Sequence, residues 1–215
     1  MGRQVKRAII FCWSESDRKP FDITEDDYII CADSGFKYAE RLGIKPDLLL
    51  GDYDSYSANG DESEKVITLP TEKDDTDAMY AARYAVENGF EEIILAGGIG
   101  GREDHTKGAV SVLKFIRKKC RSFISDGYTT VNIVKNGETL VIPYDGNIRY
   151  ISIFPCGERT CGVTLKDMKY EIDNYTVNAY YPIGVSNEQL KNKDSRITCG
   201  RGGLEVYTIY KYIGA

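Results

Sequence analysis

Up to about residue 125, short and continuously apolar runs alternate with amphipathic stretches, and this alternation limits the possible folds more than any other feature. The apolar runs are RAIIFCW, DYIICA, DLLL, VITL and EIILAGG, which begin at residues 7, 27, 47, 66 and 92. Continuous rather than alternating apolarity is typical of strands that are covered on both faces. Strands that alternate with helices predict an α/β domain with a doubly wound, mostly parallel sheet.

Three amphipathic stretches predict the helices of this domain, over residues 35–44, 76–89 and 104–119. The second stretch has the clearest boundaries, because Thr76 can cap its N-terminus and Gly89 suits the position just past its end. The run SFIS, which ends at residue 125, predicts one further strand of the sheet.

From Thr129 onward the chain changes to β-branched and aromatic runs that are separated by Gly, Asn and Asp turns. The segment KNGE, at residues 135–138 between two apolar runs, predicts a β-hairpin. We therefore predict two domains: an α/β nucleotide- and metal-binding catalytic domain over residues 1–128, and an all-β sandwich over residues 129–215.

Composition excludes several classes of protein. The net charge is −5, from 33 acidic and 28 basic residues, which argues against a nucleic-acid polymer as partner. No run approaches the roughly 20 apolar residues that span a bilayer, and the N-terminal run is too short for a signal peptide, so we expect a cytoplasmic protein that does not bind membranes. Six cysteines without a C-x-x-C pair, and His105 as the single histidine, argue against a zinc site.

Carboxylates lie in the loops that follow several of the predicted strands and in the first turn of a predicted helix. They are Asp33, Asp52, Asp54, Asp77 and Asp104. Taken singly, each could cap a helix, complement a helix dipole or form a turn. The carboxyl ends of parallel strands share one edge of the sheet, where these charges would repel one another unless a cation lay among them. Hard oxygen ligands of this kind suit Mg²⁺, so the sequence predicts a magnesium site with Asp52 and Asp54 facing the metal.

The segment GGIGGRED, at residues 97–104, follows another predicted strand. Glycines let the backbone approach a phosphate chain, and a following helix N-terminus adds N–H groups that favour anions. Arg102 can hold phosphate oxygens through two parallel hydrogen bonds. The segment matches no established phosphate-binding pattern and could be a simple turn, but beside the acidic loops it predicts metal-assisted phosphoryl chemistry on a nucleotide. We expect a structural rather than a catalytic role for His105.

The chain resembles the thiamin pyrophosphokinase family. The segments CADSGFKYAERLGIKPDLLLGDYDS, EKDDTDAMYAARYAVENG and AGGIGGREDHTKGAVSVL follow in order its three N-terminal motifs. GVTLKDMKYEI and GVSNE resemble its C-terminal signatures, and the resemblance spans roughly residues 8 to 210. The chain departs from the family in having Ser34–Gly35 after the first aspartate, and SESDRKP rather than a glycine-containing turn after the first strand.

The resemblance implies an enzyme that transfers the pyrophosphoryl group of ATP to the hydroxyl of thiamin, with release of AMP. By motif position, the acids of the metal and phosphate site are Asp33, Asp52, Asp54 and Asp77, and the last three are the expected Mg²⁺ ligands. The proton of the thiamin hydroxyl passes to one carboxylate, Asp104 or Asp54, and the residues leave both open.

The resemblance also implies roles for basic and polar side chains. Lys73, Arg102 and Asp104 hold the nucleotide phosphates or orient the acceptor, and Arg102 stabilises the transferred group. Ser186 and Asn187 line the thiamin site. The family further implies a homodimer, in which the β domain binds thiamin near the subunit interface.

Two other functions use the same residues. A Mg²⁺-dependent phosphohydrolase would replace thiamin by water, and a non-catalytic nucleotide or thiamin sensor would keep the pocket without turnover. Intact Asp52, Asp54, Asp77 and Arg102 argue against the sensor.

Overall fold

The computed structural model describes residues 6–51, 65–68 and 75–211. The chain forms two compact units, the first ending at Gly127 and the second beginning at Tyr128. None of the described helices is long and apolar enough to cross a membrane.

The described part of the first unit contains a parallel sheet and three helices. Its strands are β1 (Arg7–Phe11), β2 (Tyr28–Ala32), β3 (Leu48–Gly51), β4 (Lys65–Thr68), β5 (Glu92–Ala96) and β6 (Arg121–Ser125). Its helices are α1 (Gly35–Arg41), α2 (Asp77–Glu87) and α3 (Glu103–Arg117). The strand order is β4-β3-β2-β1-β5-β6, and every neighbouring pair is parallel. The chain thus runs outward from β1 to β4 and returns to β5, so the order reverses between β1 and β5.

The apolar runs form the central strands of the sheet, β1 and β5, whose side chains are buried. Residues 8–11 of β1 are wholly inaccessible to solvent, and residues 93–96 of β5 are nearly so. Phe11 packs edge-on against Tyr38 of α1, with 5.4 Å between the ring centroids. These observations confirm the predicted α/β class with a mostly parallel sheet.

Helix α2 begins and ends as its sequence predicts. The side-chain oxygen of Thr76 accepts a hydrogen bond from the backbone N–H of Met79 at 3.3 Å. At the other end Gly89 has a φ of +74°, a left-handed conformation that costs glycine little and other residues more. This helix start fixes the position of Asp77, the first residue of α2.

The second unit is a β-sandwich. Its strands are β7 (Thr129–Lys135), β8 (Thr139–Ile142), β9 (Ile148–Pro155), β10 (Arg159–Lys166), β11 (Ile172–Asn178), β12 (Ser195–Thr198) and β13 (Gly203–Tyr210). They form two antiparallel sheets, in the orders β7-β13-β9 and β11-β10-β12-β8. Buried side chains of both sheets share one core, among them Ile151 and Val206 from the first and Val163 and Ile197 from the second. The predicted sandwich is therefore confirmed.

The predicted hairpin at residues 135–138 is wrong. The turn itself forms, since the N–H of Glu138 donates to the carbonyl of Lys135 at 3.0 Å and Gly137 has a φ of +77°. However, β7 pairs with β13, whereas β8 pairs with β12 in the opposite sheet. The N–H of Gly137 donates to the carbonyl of Cys199 at 2.8 Å, just beyond β12, which directs the chain across the sandwich rather than back along β7.

Candidate active site

A cavity of about 360 Å³ lies in the first unit, at the carboxyl end of the parallel sheet. Three of its lining residues lie within two residues of a strand end: Trp13 beyond β1, Asp33 beyond β2 and Gly98 beyond β5. The cavity therefore lies where the strand order reverses, which is the usual position of ligands in open α/β sheets.

Three predicted site residues line this cavity: Asp33, Asp77 and Asp104. Asp33 is exposed and has a φ of +47°, and its N–H donates to the carbonyl of Leu50 at 2.8 Å, which ties the end of β2 to that of β3. Asp77 lies at the N-terminus of α2, where the helix dipole favours a negative charge. Segments that are far apart in the sequence thus bring their carboxylates to one cavity.

The predicted Mg²⁺ ligands lie only partly within the described residues. Asp52, Asp54 and Lys73 fall in the gaps 52–64 and 69–74, so of the three predicted ligands only Asp77 can be located. Across the described ranges, no group of three or more His, Cys, Asp or Glu side chains could hold a metal ion. Any metal site with three protein ligands would therefore include residues outside the described ranges. The predicted ligands are all carboxylates, a donor set that fits Mg²⁺.

Arg102 and Asp104 form an ion pair with each other. Arg102 is the residue before α3, and Asp104 lies in the first turn of that helix. Nε of Arg102 donates to Oδ1 of Asp104 at 3.2 Å, and Nη2 donates to Oδ2 at 2.5 Å. This hydrogen bonding lowers the pKa of the Asp104 carboxyl below its usual value. Both side chains are about two-thirds exposed, so solvent screens the pair and other ions can reach it.

The glycine-rich segment between β5 and α3 packs tightly on the residues that follow β1. A Cβ on Gly97 would lie 2.9 Å from the carbonyl oxygen of Cys12, and a Cβ on Gly101 would lie 2.2 Å from Cη2 of Trp13. The N–H of Gly98 donates to the carbonyl of Trp13 at 2.8 Å. Glycine is therefore required at 97 and 101 by close packing as well as by the positive φ values of 83° and 60°.

The segment SESDRKP, where the chain departs from the family pattern, is held by hydrogen bonds to other parts of the first unit. The hydroxyl of Ser16 donates to the carbonyl of Asp126 at 2.6 Å, and the guanidinium of Arg41 donates to the carbonyls of Ser14 and Ser16. The buried hydroxyl of Tyr38 donates to the carbonyl of Arg18 at 2.7 Å, and burial raises the pKa of Tyr38 to about 12. These bonds fix the chain just beyond Trp13.

Sequence reasoning missed Trp13 as a lining residue. Its place in the run RAIIFCW predicts a strand residue, but β1 ends at Phe11 and Trp13 lies two residues beyond it. The signal that could have found it is its place after the central strand, next to the reversal of strand order.

The two predicted thiamin-site residues have different environments in the second unit. Ser186 is exposed, with a φ of +59°, whereas Asn187 is only 5% exposed. The side chain of Asn187 is occupied within the fold, because Oδ1 accepts from the N–H groups of Tyr170 and Glu188, and Nδ2 donates to the carbonyl of Tyr170 at 2.7 Å. Asn187 therefore joins two loops, and Ser186 is the more accessible of the two.

Both units match sequence models of one protein family. Residues 23–124 match the model described as thiamin pyrophosphokinase, catalytic domain. Residues 138–204 match the model described as thiamin pyrophosphokinase, vitamin B1 binding domain.

Curated relatives and solved structures agree with these matches. The chain is 30% identical to thiamine pyrophosphokinase of Bacillus subtilis (strain 168) over 170 residues, which cover 76% of this chain and 79% of that protein. It is 28% identical to thiamin pyrophosphokinase 1 of Caenorhabditis elegans over 152 residues, 66% of this chain and 62% of that protein. The chain thus spans less than two thirds of the nematode protein.

Among crystal structures, thiamine pyrophosphokinase from Bacillus subtilis superimposes with a TM-score of 0.83 at 24% identity, covering 96% of this chain and all of that one. The enzyme from Geobacillus thermodenitrificans gives a TM-score of 0.81, also at 24% identity, and covers 99% of this chain and 100% of that one. At this level of identity the two superpositions show that the fold is shared.

Proposed function

Because the chain belongs to the thiamin pyrophosphokinase family, we propose that it transfers the pyrophosphoryl group of ATP to the hydroxyl of thiamin, giving thiamin diphosphate and AMP. The observation that carries this proposal is the convergence of Asp33, Asp77 and Asp104 on one cavity where the strand order reverses. These residues come from the three motifs whose joint presence is specific for the family.

The reaction makes one phosphorus–oxygen bond, breaks another and moves one proton. The hydroxyl oxygen of thiamin attacks the β-phosphorus of ATP, and the bond from that phosphorus to the α,β-bridging oxygen breaks. AMP leaves with the bridging oxygen, and the hydroxyl proton passes to a carboxylate. Because little covalent chemistry falls to the protein, its residues chiefly align the reactants and offset charge.

Arg102 is the residue we assign to the oxygens of the transferred group. Its guanidinium is exposed and paired with Asp104, so phosphate oxygens can replace the carboxylate as its partner. That exchange would release Asp104 and let its pKa rise toward the ordinary value, since the hydrogen bond from Arg102 is the main cause of the lowered pKa. A released Asp104 beside the cavity is then a better proton acceptor for the hydroxyl.

The remaining acids and Lys73 serve the phosphate chain. Asp52, Asp54 and Asp77 would hold Mg²⁺, which when bound offsets negative charge on the phosphate oxygens. Asp77 supplies one such carboxylate at the start of α2, and Asp33 adds to the negative field of the cavity. Lys73 is assigned to the phosphates of ATP by its position in the second motif.

We assign two roles to the second unit, the binding of thiamin and the formation of a homodimer. Ser186 contributes a hydroxyl from an exposed loop, and Asn187 holds that loop in place through its bonds to Tyr170. Just before this loop, large apolar side chains are exposed, including Tyr180 at 76% and Tyr181 at 60%. Exposed apolar surface of this kind typically marks a protein interface, which supports a dimer that closes near the thiamin site. Sedimentation of the chain should give twice the monomer mass.

One experiment separates this function from its rivals. The chain is incubated with ATP and Mg²⁺, with or without thiamin, and the nucleotides and thiamin esters are separated by chromatography. We expect AMP only when thiamin is present, in amounts equal to thiamin diphosphate. Nucleotide hydrolysis without thiamin would indicate a phosphohydrolase, and ligand binding without any product would indicate a sensor. Asp77→Asn serves as the inactive control, because it removes the carboxylate and leaves Thr76 as the helix cap.

A further inference from the structure

The indole of Trp13 lies directly against the glycine-rich segment. A Cβ added to Gly101 would fall 2.2 Å from Cη2 and 2.5 Å from Cζ3 of the ring, so the ring edge covers the space that a side chain at 101 would occupy. The backbone of Trp13 is fixed as well, because its carbonyl accepts a hydrogen bond from the N–H of Gly98. The ring is therefore held in a defined position rather than projecting freely into solvent.

The position of the ring suits a bound substrate. Trp13 is half-buried and lines the cavity together with the three carboxylates, so part of the indole faces the space where a ligand would bind. Within the adjacent segment 97–101, Gly100 is open, since a Cβ there would meet nothing within 4 Å, and a phosphate chain can approach its backbone. A molecule with phosphates beside Gly100 would thus have its other end within reach of the indole.

We propose that Trp13 is the surface on which the adenine base of ATP stacks, an inference that rests on the proposed function. Adenine is flat and neutral, and every nucleobase presents a π-face that stacks on an aromatic side chain. Thiamin also carries flat rings, but the match to a vitamin B1 binding domain covers residues 138–204, in the other unit. Trp13 precedes both matched ranges, so it is a feature that those two matches leave without a role.

The chain offers a direct test, because Trp13 is its single tryptophan. Fluorescence excited at about 295 nm therefore reports on this residue alone. The wild-type protein is titrated with AMP, with ribose 5-phosphate and with thiamin. Stacking predicts saturable quenching by AMP and little change with ribose 5-phosphate or thiamin. Equal quenching by ribose 5-phosphate would mean that the phosphate alone perturbs the ring. Quenching by thiamin in place of AMP would assign the ring to the acceptor. Either result would overturn the proposal.

Variants then separate stacking from packing. Trp13→Leu should raise the KM for ATP about tenfold, a typical loss for one base–aromatic contact, and leave the KM for thiamin within about twofold. Trp13→Phe keeps a flat ring and should recover most of the affinity for ATP. Phe21→Leu is the matched control, because Phe21 follows the same strand and packs on Phe123 at 5.6 Å without lining the cavity.

The outcomes distinguish this inference from the proposed function. If the wild-type chain makes no AMP with thiamin, the function fails, whereas AMP quenching still tests the stacking. If the chain is active and Trp13→Leu keeps the wild-type KM for ATP, the stacking role is wrong. It is also wrong if Trp13→Leu changes the KM values for ATP and thiamin alike, to the extent seen in Phe21→Leu, because Trp13 then only packs.

Discussion

Arg102 and Asp104 lie two residues apart at the start of α3, and the guanidinium contacts both oxygens of the carboxylate, at 3.2 Å and 2.5 Å. Two groups with opposite expected roles, one for phosphate oxygens and one for a proton, are thus each other's partners. Any anion that binds Arg102 changes the charge environment of Asp104 at the same time.

Loss of the guanidinium should affect turnover more than ATP binding. Arg102→Gln should lower kcat strongly with a smaller change in the KM for ATP, because the interaction strengthens as charge develops on the transferred group. Arg102→Lys should recover activity only in part, since an ammonium cannot make two parallel hydrogen bonds. Steady-state kinetics measure both. Equal kcat values for Arg102→Lys and the wild type would contradict the assigned role.

The same variant should shift the titration of Asp104. The folded-state pKa of Asp104 is lowered chiefly by the hydrogen bond from Arg102, so in Arg102→Gln it should move up toward the value of about 3.9 for a free aspartate. Carboxyl-detected NMR of the two proteins would show this shift, and an unchanged pKa would mean that the pair does not persist in solution.

The carboxylates after β3 should be essential for activity and dispensable for folding. Asp52→Asn and Asp54→Asn should each lower kcat by orders of magnitude in saturating Mg²⁺, because each removes a charged ligand, while the circular dichroism spectrum stays unchanged. Asp75→Asn is the control, since Asp75 pairs with Arg83 at 2.9 Å and does not line the cavity. Near wild-type kcat in either test variant would remove that residue from the metal site.

Ser186 and Asn187 should separate binding from stability. Asn187→Ala leaves the N–H and carbonyl of Tyr170 without their side-chain partner, and should lower the free energy of unfolding by about 2 kcal/mol. Ser186→Ala should leave stability unchanged and raise the KM for thiamin, with the KM for ATP unaffected. Urea unfolding and kinetics on both variants provide the comparison. An unchanged KM for thiamin in Ser186→Ala would make the loop purely structural.

Asp27 should make the first unit sensitive to acid. Its side chain is 3% exposed, and its carboxylate accepts hydrogen bonds from Arg7 at 2.5 and 2.6 Å and from the N–H of Thr24 at 2.7 Å. Burial by itself raises the pKa of Asp27, but the hydrogen bonds from Arg7 and Thr24 outweigh it, and the net pKa is lowered.

The sign of the pH effect follows from that direction. Because the folded-state pKa of Asp27 lies below the unfolded value of about 3.9, the unfolded chain binds more protons in the acid range. The stabilisation is complete above about pH 4 and is lost as the pH falls through the folded-state pKa. Asp27→Asn should lower the free energy of unfolding by about 2 kcal/mol at pH 7 and flatten its slope below pH 4. Asp22→Asn, at an exposed neighbouring position, is the control for the loss of one negative charge.

Much of the first unit could be predicted because its signals are local or periodic. Residues 8–11 of β1 and 93–96 of β5 are buried, so these runs are apolar without interruption. Thr76 and Gly89 mark the two ends of α2. Because the carboxyl ends of parallel strands share one edge of the sheet, the proximity of Asp33, Asp77 and Asp104 can be predicted without knowing any side-chain contact.

The misjudged features depend on distant partners. The turn at residues 135–138 specifies a reversal of the chain but not the sheet that β8 joins, and that choice depends on β12, about 60 residues later. The burial of Asn187 has the same kind of cause, because its hydrogen-bond partner Tyr170 belongs to another loop. The local sequence places Trp13 in β1, because the residue that its ring contacts, Gly101, lies far along the chain, after strands β2 to β5.

The arrangement β7-β13-β9 has a consequence for synthesis on the ribosome. Strand β13 pairs Leu204 with Val134 on one side and with Pro155 on the other, so the strand made last among these three is the middle one. Until residues 203–210 emerge, β7 and β9 lack their common neighbour, and their hydrogen bonds wait on contacts that are remote in sequence. The parallel strand pairs of the first unit involve only β1 to β6, so they can form earlier in synthesis. A chain released before residue 203 would lack the strand between β7 and β9, and would expose the facing edges of both to neighbouring chains.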